Sequence, residues 1–507
     1  MMQRMAYLLA LDVGTTALKG VLFDTDGRAR AVCSREYDLL KPAPDLVELD
    51  PDTYWTAARE VIGSLLRSGG VAPAQIAAVG VTSQGETLIA LDKAGRPLRN
   101  AIVWLDNRSR EEAAELGRLF SIDEVYRITG QQEMAPTWTA TRILWLKNHE
   151  PALFARTAKF LLPADYLLYK LTGRYATDPA LNPSTLYFDL VRRTWWPEML
   201  NALGITPSQL PDLLTPGEAA GPVSPAAAAE TGLPAGIPVS GAPIDQIAGT
   251  IGAGNLEPGI VTETTGAALA LCATLEKPLY DPLKRVGLYC HARPDRYALL
   301  PWVPTAGMAF RWLRDELGAG ASYETLTAEA AAVPPGSEGL TLLPHFCGAG
   351  TPQMNPNARG VLWGLTLGHR RSHIVRAFLE SVAFMLKENL DMLERLGTPV
   401  TEIRSLGGGA KSPLWLQIKA DVCRKDILTM ECEETTSLGT AMLAGVNAGL
   451  FRNLEEARDR MVRIRARLAP AAGTREAYAT AYQAYCDLNT GTRTLFPEPS
   501  PKGPSLP

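Results

Sequence analysis

The sequence predicts an α/β protein with mixed sheets, arranged as two related domains around one ligand. Short apolar runs alternate with amphipathic stretches along the 507 residues, which is typical of strands alternating with helices. Each half also contains an apolar run, a turn of Thr and Gly, and a second apolar run, at residues 7–24 and again at 259–271. Because such a repeat indicates two units of related structure, we expect one domain in each half.

The first of these turns places a carboxylate beside two hydroxyl groups. Its residues are Asp12, Gly14, Thr15 and Thr16, and Lys19 follows in the second apolar run. Such a turn presents backbone N–H groups and hydroxyls to an anion, and Asp12 is placed to bind a hydrated cation. One interpretation is a phosphate and Mg²⁺ site. The other is an ordinary hairpin, because no Walker loop occurs here.

Two further glycine-containing turns strengthen the phosphate interpretation. The repeat in the second half turns at residues 264–266. A third turn, at residues 407–412, follows a short strand and precedes a predicted helix at 415–422, so its N–H groups also suit a phosphate. One such turn is weak evidence, whereas three in one chain favour a nucleotide or phosphate ligand.

Apolar periodicity predicts the flanking elements. A helix is expected to begin near Asp245, and residues 201–238, rich in Pro, Ala and Gly, are expected to connect rather than to form core. The remaining predictions are strands at 76–81 and 88–91, a turn at 92–97, and helices at 52–66, 143–147 and 165–171.

Composition excludes several classes of function. The net charge of −4, with 46% hydrophobic and 21% charged residues, argues against nucleic acid or an anionic membrane as the main partner. No apolar run approaches the roughly 18 residues that a membrane span needs. The seven scattered cysteines and the absence of a signal peptide indicate reduced thiols and a cytoplasmic location. His369 and His373 have helical spacing but no evident third ligand, so a solvated helix start is favoured over a metal site.

Together, the three turns resemble the FGGY family of carbohydrate kinases, within the actin and hexokinase-like ATPase superfamily. The likeness runs from Tyr7 to about Leu450. Further blocks that carry it are Glu-x-Asp-Pro at 48–51, Trp-x-Asp-x-Arg at 104–108, and residues 161–178, 350–365 and 373–380. The resemblance implies two actin/hexokinase-like (ribonuclease H-like) domains with a central ligand cleft. It also implies transfer of a phosphoryl group from ATP, with Mg²⁺, to a small-molecule sugar or polyol, and it allows a homodimer, which is common among relatives.

The resemblance divides the chain into three parts. Residues 1–245 would form the N-terminal kinase domain, with the sugar, Mg²⁺ and phosphoryl site. Residues 246–488 would form the C-terminal domain with the nucleotide site. Residues 489–507 are Pro-rich, and we expect a disordered tail.

Specific roles are implied for the residues that match the family's motifs. Asp245 matches the catalytic aspartate that accepts the sugar's proton, although the residues alone favour a helix N-cap. Asp12 and Asp245 would hold Mg²⁺. The residues expected to face the sugar are Gln84, Gly85, Glu86, Trp104, Asp245 and Gln246. The residues expected to face the nucleotide and its phosphates are Asp12, Gly14, Thr15, Thr16, Lys19, Thr264, Thr265, Gly266, Gly307, Gly408, Gly409 and Ser412. Simple packing remains an alternative for Trp104 and Gly307.

Two departures from the family pattern concern charge. Arg142 stands where a Lys is usual, which keeps the positive charge. Glu263 stands where the second phosphate turn usually carries Gly. A carboxylate there would repel a phosphate, so Glu263 must point away or bind a cation.

The choice of sugar depends on residues 84–87. Glu86 and Gln246 resemble glycerol kinases, but Gly85 and Thr137 replace the Arg and Tyr of those enzymes. Losing both side chains should enlarge the pocket, and the blocks at 161–178 and 350–365 look closest to xylulokinases. We therefore expect a ketopentose such as D-xylulose. A kinase for another polyol, ketose or gluconate, a silent sugar or nucleotide sensor, and an actin-like filament protein remain alternatives.

Overall fold

Two compact units divide the chain, and neither is one continuous stretch. The computed structural model describes residues 6–215 and 217–497. The first unit contains the chain up to Leu256, together with Leu275–Ala298 and Glu434–Arg463. The second contains Glu257–Thr274, Leu299–Glu433 and the chain from Ile464 onward. The predicted α/β class with mixed sheets is confirmed.

The first unit is built on a mixed sheet whose parallel strands end at one edge. Its strands, in spatial order, are Gly221–Pro222, Pro238–Gly241, Ile76–Ser83, Tyr7–Val13, Ala17–Asp24 and Ala29–Glu36. Tyr7–Val13 and Pro238–Gly241 both run parallel to Ile76–Ser83. The segments after Val13, Ser83 and Gly241 therefore emerge at the same edge, where ligands bind in open α/β sheets.

Helices and short strands cover this sheet. The helices of the first unit are Pro51–Ser68, Arg110–Leu119, Ile122–Thr129, Thr139–His149, Pro151–Arg156, Pro163–Thr172, Pro197–Leu203, Pro225–Thr231, Asp245–Gly252, Thr435–Asn447 and Leu454–Met461. Its short strands are Leu40–Ala43, Leu46–Leu49, Ile89–Leu91, Ala101–Ile102, Lys159–Leu161, Ala176–Thr177, Phe188–Asp189, Thr194–Trp195, Asp212–Leu213 and Gly287–Cys290. Buried apolar side chains on both faces of Tyr7–Val13 make this strand the centre of the core.

The second unit repeats the arrangement. Its main strands, in spatial order, are Leu269–Leu275, Gly259–Thr265, Val400–Leu406, Asp426–Met430 and Ile464–Leu468. Gly259–Thr265 runs parallel to Val400–Leu406, so the turns that follow these strands lie at one edge. Its other strands are Tyr297–Leu300, Trp302–Val303, Thr341–Leu343 and Val361–Trp363, and its helices are Gly307–Leu317, Tyr323–Ala331, Arg371–Arg395, Pro413–Cys423 and Arg475–Gly491.

The predicted domain boundary at residue 245 falls on the first residue of helix Asp245–Gly252. Asp245–Gly252 packs on Thr435–Asn447, and both helices belong to the first unit. Gly252 approaches that helix so closely that an added Cβ would lie 1.8 Å from the carbonyl oxygen of Thr435. The first unit therefore extends to Leu256, because this helix pair keeps it together.

Two predictions about irregular segments need correction. Residues 201–238 were expected only to connect, but Leu203, Ile205 and Leu210 are buried in an apolar core cluster. The expected tail begins later than residue 489, because helix Arg475–Gly491 continues past Asn489, whose side chain is buried 3.3 Å from the His345 ring. Residues 498–507 of that tail lie outside the described residues. Within residues 6–215 and 217–497, no helix is long and apolar enough to cross a membrane.

Candidate active site

Three carboxylates meet at the strand ends of the first unit. Asp12 lies in strand Tyr7–Val13, Glu86 in the loop after Ile76–Ser83, and Asp245 beyond Pro238–Gly241. Burial raises the pKa of Asp245 well above its ordinary value, and the negative charges of Asp12 and Glu86 raise it further. Burial likewise raises the pKa of Asp12 to about 6 and that of Glu86, although Lys19 and Arg142 respectively oppose these increases. The sequence prediction that Asp12, Glu86 and Asp245 belong together agrees with this electrostatic coupling.

Asp245 occupies the first position of its helix rather than the cap. Ile244 is the N-cap residue of Asp245–Gly252 and contributes no side-chain hydrogen bond. The backbone N–H of Gln246 donates to Asp245 Oδ1 at 2.7 Å, which fixes one carboxylate oxygen. The N-cap alternative is therefore wrong. The side chain of Gln246, the predicted neighbour of the sugar, is exposed.

The first turn is held by contacts that the sequence does not reveal. The Trp104 indole N–H donates to Thr15 Oγ1 at 2.8 Å, and the Tyr37 hydroxyl donates to the carbonyl oxygen of Gly14 at 2.5 Å. Thr16 is exposed at the turn. Trp104 is thus attached to the turn and is not simply a core side chain.

Lys19 was expected to face the transferred phosphoryl group, but it makes an ion pair. Its Nζ lies 2.7 Å from Glu434 Oε2, and both side chains are about one-third exposed (39% and 30%). Glu434 also raises the pKa of Asp12. Sequence reasoning missed Glu434 because it comes from a segment more than 400 positions away in the chain.

The loop at residues 84–87 is held by hydrogen bonds between its own residues. Gln84 Nε2 donates to Thr87 Oγ1 at 2.6 Å, and Gln84 Oε1 accepts from the backbone N–H of Glu86 at 3.4 Å. Each end of the Gln84 amide therefore has one bond inside the loop, which leaves its second N–H and second lone pair for the predicted contact with the sugar. At Gly85, an added Cβ would lie 2.6 Å from Ile244 Cδ1 and 3.0 Å from Ser184 Oγ. Ile244 and Ser184 therefore pack directly against Gly85, and a side chain at this position would have to displace them.

Arg142 links the segments that carry Glu86 and Trp104. Its guanidinium is fully buried and donates to the carbonyl oxygens of Glu86, Trp104 and Asp106, the latter two at 2.8 and 3.2 Å. Burial lowers the pKa of Arg142 to about 10, against the nearby carboxylates of Asp106 and Glu86. A guanidinium reaches three carbonyls at once, whereas a Lys offers a point charge.

A separate cavity of about 870 Å³ lies in the second unit. The predicted residues that line it are Thr265, Gly266, Gly307, Gly408, Gly409 and Ser412. Thr264 is exposed and does not line this cavity. The Gly307 N–H donates to the Gly266 carbonyl oxygen at 2.9 Å, and an added Cβ would lie 2.3 Å from that oxygen. Gly307 therefore both packs against Gly266 and lines the cavity.

The cavity also has an aromatic wall that sequence reasoning missed. Phe310 has its ring centroid 5.1 Å from that of Tyr323 and 5.7 Å from that of Trp415, and all three residues line the cavity. Lys411 adds a cation at the lining. The apolar spacing along the two helices of Phe310 and Trp415 was the available signal, but it indicates core packing equally well.

Glu263 points away from the cavity and binds a lysine. Its carboxylate is fully buried, with Lys419 Nζ 2.6 Å from Oε1, and it also accepts a hydrogen bond from Ser405 Oγ. Thr265 Oγ1 donates to Glu263 Oε2 at 2.8 Å and accepts from Lys419 at 2.8 Å. The network fixes the hydroxyl of Thr265, which lies at the cavity. Both expectations for Glu263 are met, because its carboxylate points away from the cavity and binds the cation of Lys419.

The histidine pair lies around the start of helix Arg371–Arg395. His369 and His373 have ring centroids 5.3 Å apart, and His373 Nε2 lies 3.2 Å from Glu338 Oε2. In the part of the chain that the structure describes, no group of three or more His, Cys, Asp and Glu side chains could hold a metal ion by itself. A cation at Asp12 and Asp245 would take its remaining ligands from other groups, such as hydroxyl, carbonyl, water or phosphate oxygens.

Comparison with known proteins identifies one family over both halves. The FGGY family of carbohydrate kinases matches through its N-terminal domain at residues 7–252 and its C-terminal domain at residues 265–448. A xylulose kinase of Bacillus subtilis is 30% identical over 491 residues, which cover 97% of this chain and 98% of the relative. A glycerol kinase of Trichlorobacter lovleyi is 35% identical over 464 residues, or 89% and 92% of the two chains. The crystal structure of a ligand-bound xylulose kinase from Lactobacillus acidophilus has 28% identity and a TM-score of 0.89, covering 97% of this chain and 99% of that one.

Proposed function

We propose that this chain, which belongs to the FGGY family of carbohydrate kinases, transfers the γ-phosphoryl group of ATP to a hydroxyl of a ketopentose, with D-xylulose as the first candidate. The observation that carries the proposal is that burial, together with the negative charges of Asp12 and Glu86 nearby, raises the pKa of Asp245. A carboxylate with a raised pKa is a stronger base, and proton removal from a sugar hydroxyl needs one within hydrogen-bond reach. The site in the first unit is thus suited to an alcohol as acceptor.

Asp245 would act as the general base. As the sugar oxygen attacks the γ-phosphorus, its proton passes to the Asp245 carboxylate, and the bond to the ADP oxygen breaks. The N–H of Gln246 holds one carboxylate oxygen, which leaves the other to accept the proton. Glu86 would accept hydrogen bonds from sugar hydroxyls, and its position depends on Arg142.

Asp12 and Asp245 fit a magnesium ion by the chemistry of their donors. Mg²⁺ prefers carboxylate oxygens, water and phosphate oxygens. Burial and the negative charge of Asp12 raise the pKa of Asp245, so this pair of carboxylates is stabilised when a cation lies near both. When bound, the ion would neutralise phosphate charge during transfer.

The cavity of the second unit suits a nucleotide. Its volume lies within the roughly 300–1,000 Å³ of small-molecule sites. The glycine turn at residues 408–409 offers backbone N–H groups to phosphates, whereas the Gly266 N–H already donates to the Ala268 carbonyl oxygen at 3.0 Å. Phe310, Tyr323 and Trp415 offer apolar faces to a base. ATP and ADP are therefore assigned to this unit.

Two observations bear on the sugar and support different candidates. Gly85 and Thr137 present no large polar side chain to a short triol. The Thr137 hydroxyl is already engaged, because it donates to the Trp104 carbonyl oxygen at 3.1 Å. This supports the ketopentose. Glu86 and Gln246 support glycerol as the second candidate, in line with the glycerol kinase relative. Other polyols, ketoses and gluconate follow.

A coupled assay of ADP release tests the proposal. Wild-type protein with ATP and Mg²⁺ is measured alone and with D-xylulose, other pentuloses, hexuloses, polyols, glycerol or gluconate. We expect the largest stimulation with a pentulose. The strongest stimulation by glycerol would favour the second candidate, ATP hydrolysis indifferent to every sugar would favour a filament-like ATPase, and no turnover would favour a silent sensor.

A further inference from the structure

A strand from the second half of the sequence is built into the first unit. Gly287–Cys290 belongs to the segment Leu275–Ala298, which the first unit contains. The Leu288 N–H donates to the Gly130 carbonyl oxygen at 2.8 Å, and the Tyr126 hydroxyl donates to the Val286 carbonyl oxygen at 2.8 Å. Gly130 permits this approach, since an added Cβ would lie 2.1 Å from Leu288 O. These contacts fix the position of the strand.

Tyr289, on this strand, lies near the acceptor carboxylates. Burial raises the pKa of its phenol, and the negative charges of Glu86 and Asp245 raise it further. The adjacent Gly287 leaves room for the ring, because a Cβ there would lie 2.9 Å from Tyr289 Cε2. The strand that carries Tyr289 also packs against the short turn Pro183–Thr185, whose Ser184 hydroxyl is 3.0 Å from the position of a Cβ on Gly85. Geometry and charge thus place Tyr289 beside the same site.

Gln131 is the hydrogen-bond partner of Tyr289, and the NH2 group of its amide has no partner among the described residues. Its side chain is fully buried, and its Oε1 accepts from the Tyr289 hydroxyl at 3.3 Å. Its Nε2 has no hydrogen-bond partner among the described residues. Leaving a buried donor unpaired is costly, so such a group at a site points to a ligand that pairs with it.

We propose that Tyr289 and Gln131 form a further polar wall of the sugar site, at which Gln131 Nε2 donates a hydrogen bond to a substrate oxygen. The inference rests on the proposed function and defines its substrate class more closely. Asp245 and Glu86 are carboxylates that accept from hydroxyls near the phosphorylated carbon. The Gln131 amide adds a donor that suits a carbonyl or hydroxyl oxygen further along the substrate's carbon chain. The site would therefore take a polyhydroxylated substrate longer than three carbons.

Two variants test the wall, with one matched control. Gln131→Met removes the amide at nearly constant volume, and Tyr289→Phe removes the hydroxyl that orients it. Tyr280→Phe is the control, since Tyr280 lies in the same segment and donates to the Arg127 carbonyl oxygen at 2.8 Å. We expect KM for the preferred sugar to rise about tenfold in Gln131→Met and severalfold in Tyr289→Phe, with KM for ATP unchanged. Tyr280→Phe should keep both values.

The outcome separates the wall from the kinase assignment. A sugar KM within twofold of wild type in both folded variants would overturn the wall and leave the kinase assignment intact. If Gln131→Met fails to fold, Tyr289→Phe decides alone. If the wild type releases no ADP with any sugar, the proposed function fails. Sugar binding followed by tryptophan fluorescence then decides the wall, which weaker binding by the variants supports and equal binding contradicts.

Discussion

The two strand–turn–strand repeats place a carboxylate in opposite electrostatic settings. In the first unit Asp12 lies near Asp245 and Glu86, and the charges that act most on Asp245 are both negative. In the second unit Glu263 is fully buried against Lys419, with hydrogen bonds from Thr265 and Ser405. The same backbone device therefore carries a repulsive cluster in one unit and a compensated pair in the other.

This difference distinguishes the proposed acceptor site of the first unit from a structural ion pair in the second unit. Negative charges that raise the pKa of a neighbouring carboxylate destabilise the folded protein, and such an arrangement persists where a ligand or cation supplies the missing charge. A carboxylate with its own cation and full hydrogen bonding needs no ligand, and Glu263 instead orients the hydroxyl of Thr265. Charge compensation thus distinguishes the acceptor site from the structure beneath the nucleotide cavity.

The largest effect is expected at Asp245. Asp245→Asn keeps the shape but cannot accept the proton, so kcat should fall by about 10²–10⁴-fold, as for the loss of a general base. The measurement is sugar-dependent ADP release. Asp189→Asn, which changes a turn carboxylate of the same unit that accepts from Val191 N at 3.1 Å, is the control and should retain kcat. More than a tenth of wild-type kcat in Asp245→Asn would refute the assignment.

Breaking the compensated pair should be the largest change in stability. Lys419→Met leaves Glu263 buried without its cation, and we expect a loss of about 3–5 kcal/mol in the free energy of unfolding. The double variant Glu263→Gln/Lys419→Met should recover much of it. Urea unfolding gives the values. Lys425→Met, at a half-exposed pair with Glu394, should cost under about 1 kcal/mol; an equal cost for Lys419→Met would contradict the account.

Arg142 should show a smaller effect on both stability and sugar binding. Arg142→Met removes the Arg142 donor from the carbonyl oxygens of Glu86 and Asp106, while the Trp104 carbonyl keeps its bond from Thr137. We expect a loss of about 2–3 kcal/mol and a raised KM for sugar. Arg142→Lys keeps the charge and should fall between this variant and wild type. Unfolding in urea and sugar kinetics measure the two effects. Wild-type stability in Arg142→Met would show that these contacts do not hold the loop.

The smallest expected effect is a pH dependence at Asp12. Its folded-state pKa of about 6 lies above the unfolded value of 3.8, so the folded protein binds the extra proton between these values. Its contribution therefore lowers stability as pH rises from about 4 to 6, by about 2 kcal/mol in the ligand-free protein. Asp12→Asn should remove this part of the decline when urea unfolding is compared at pH 4.5 and 7. Parallel pH profiles of the two proteins would contradict it.

Local patterns revealed the parts of the site that depend on short segments. The turn at Asp12 and the glycine turns at residues 266 and 408 were predictable because a strand, a tight turn and a helix start are encoded within about fifteen residues. The parallel register of their strands then explains why these turns meet at sheet edges.

What the sequence could not predict depends on contacts across long separations. Lys419 reaches Glu263 over 156 positions, and Tyr289 reaches Gln131 over 158. Gln84 was assigned to the sugar, and the structure adds a bond from its amide to Thr87, three residues later. Neither kind of contact leaves a periodic signal in the sequence.

The most direct test of the contrast between the two units compares Asp245→Asn with Glu263→Gln in the ligand-free protein at pH 7. Each variant replaces a carboxylate by its amide, and urea unfolding gives the change in the free energy of unfolding. The account predicts opposite signs. Asp245→Asn should stabilise, because it removes a charge whose pKa is raised in the folded state, and Glu263→Gln should destabilise, because it leaves Lys419 buried without its partner. Destabilisation by Asp245→Asn, or stabilisation by Glu263→Gln, would contradict it.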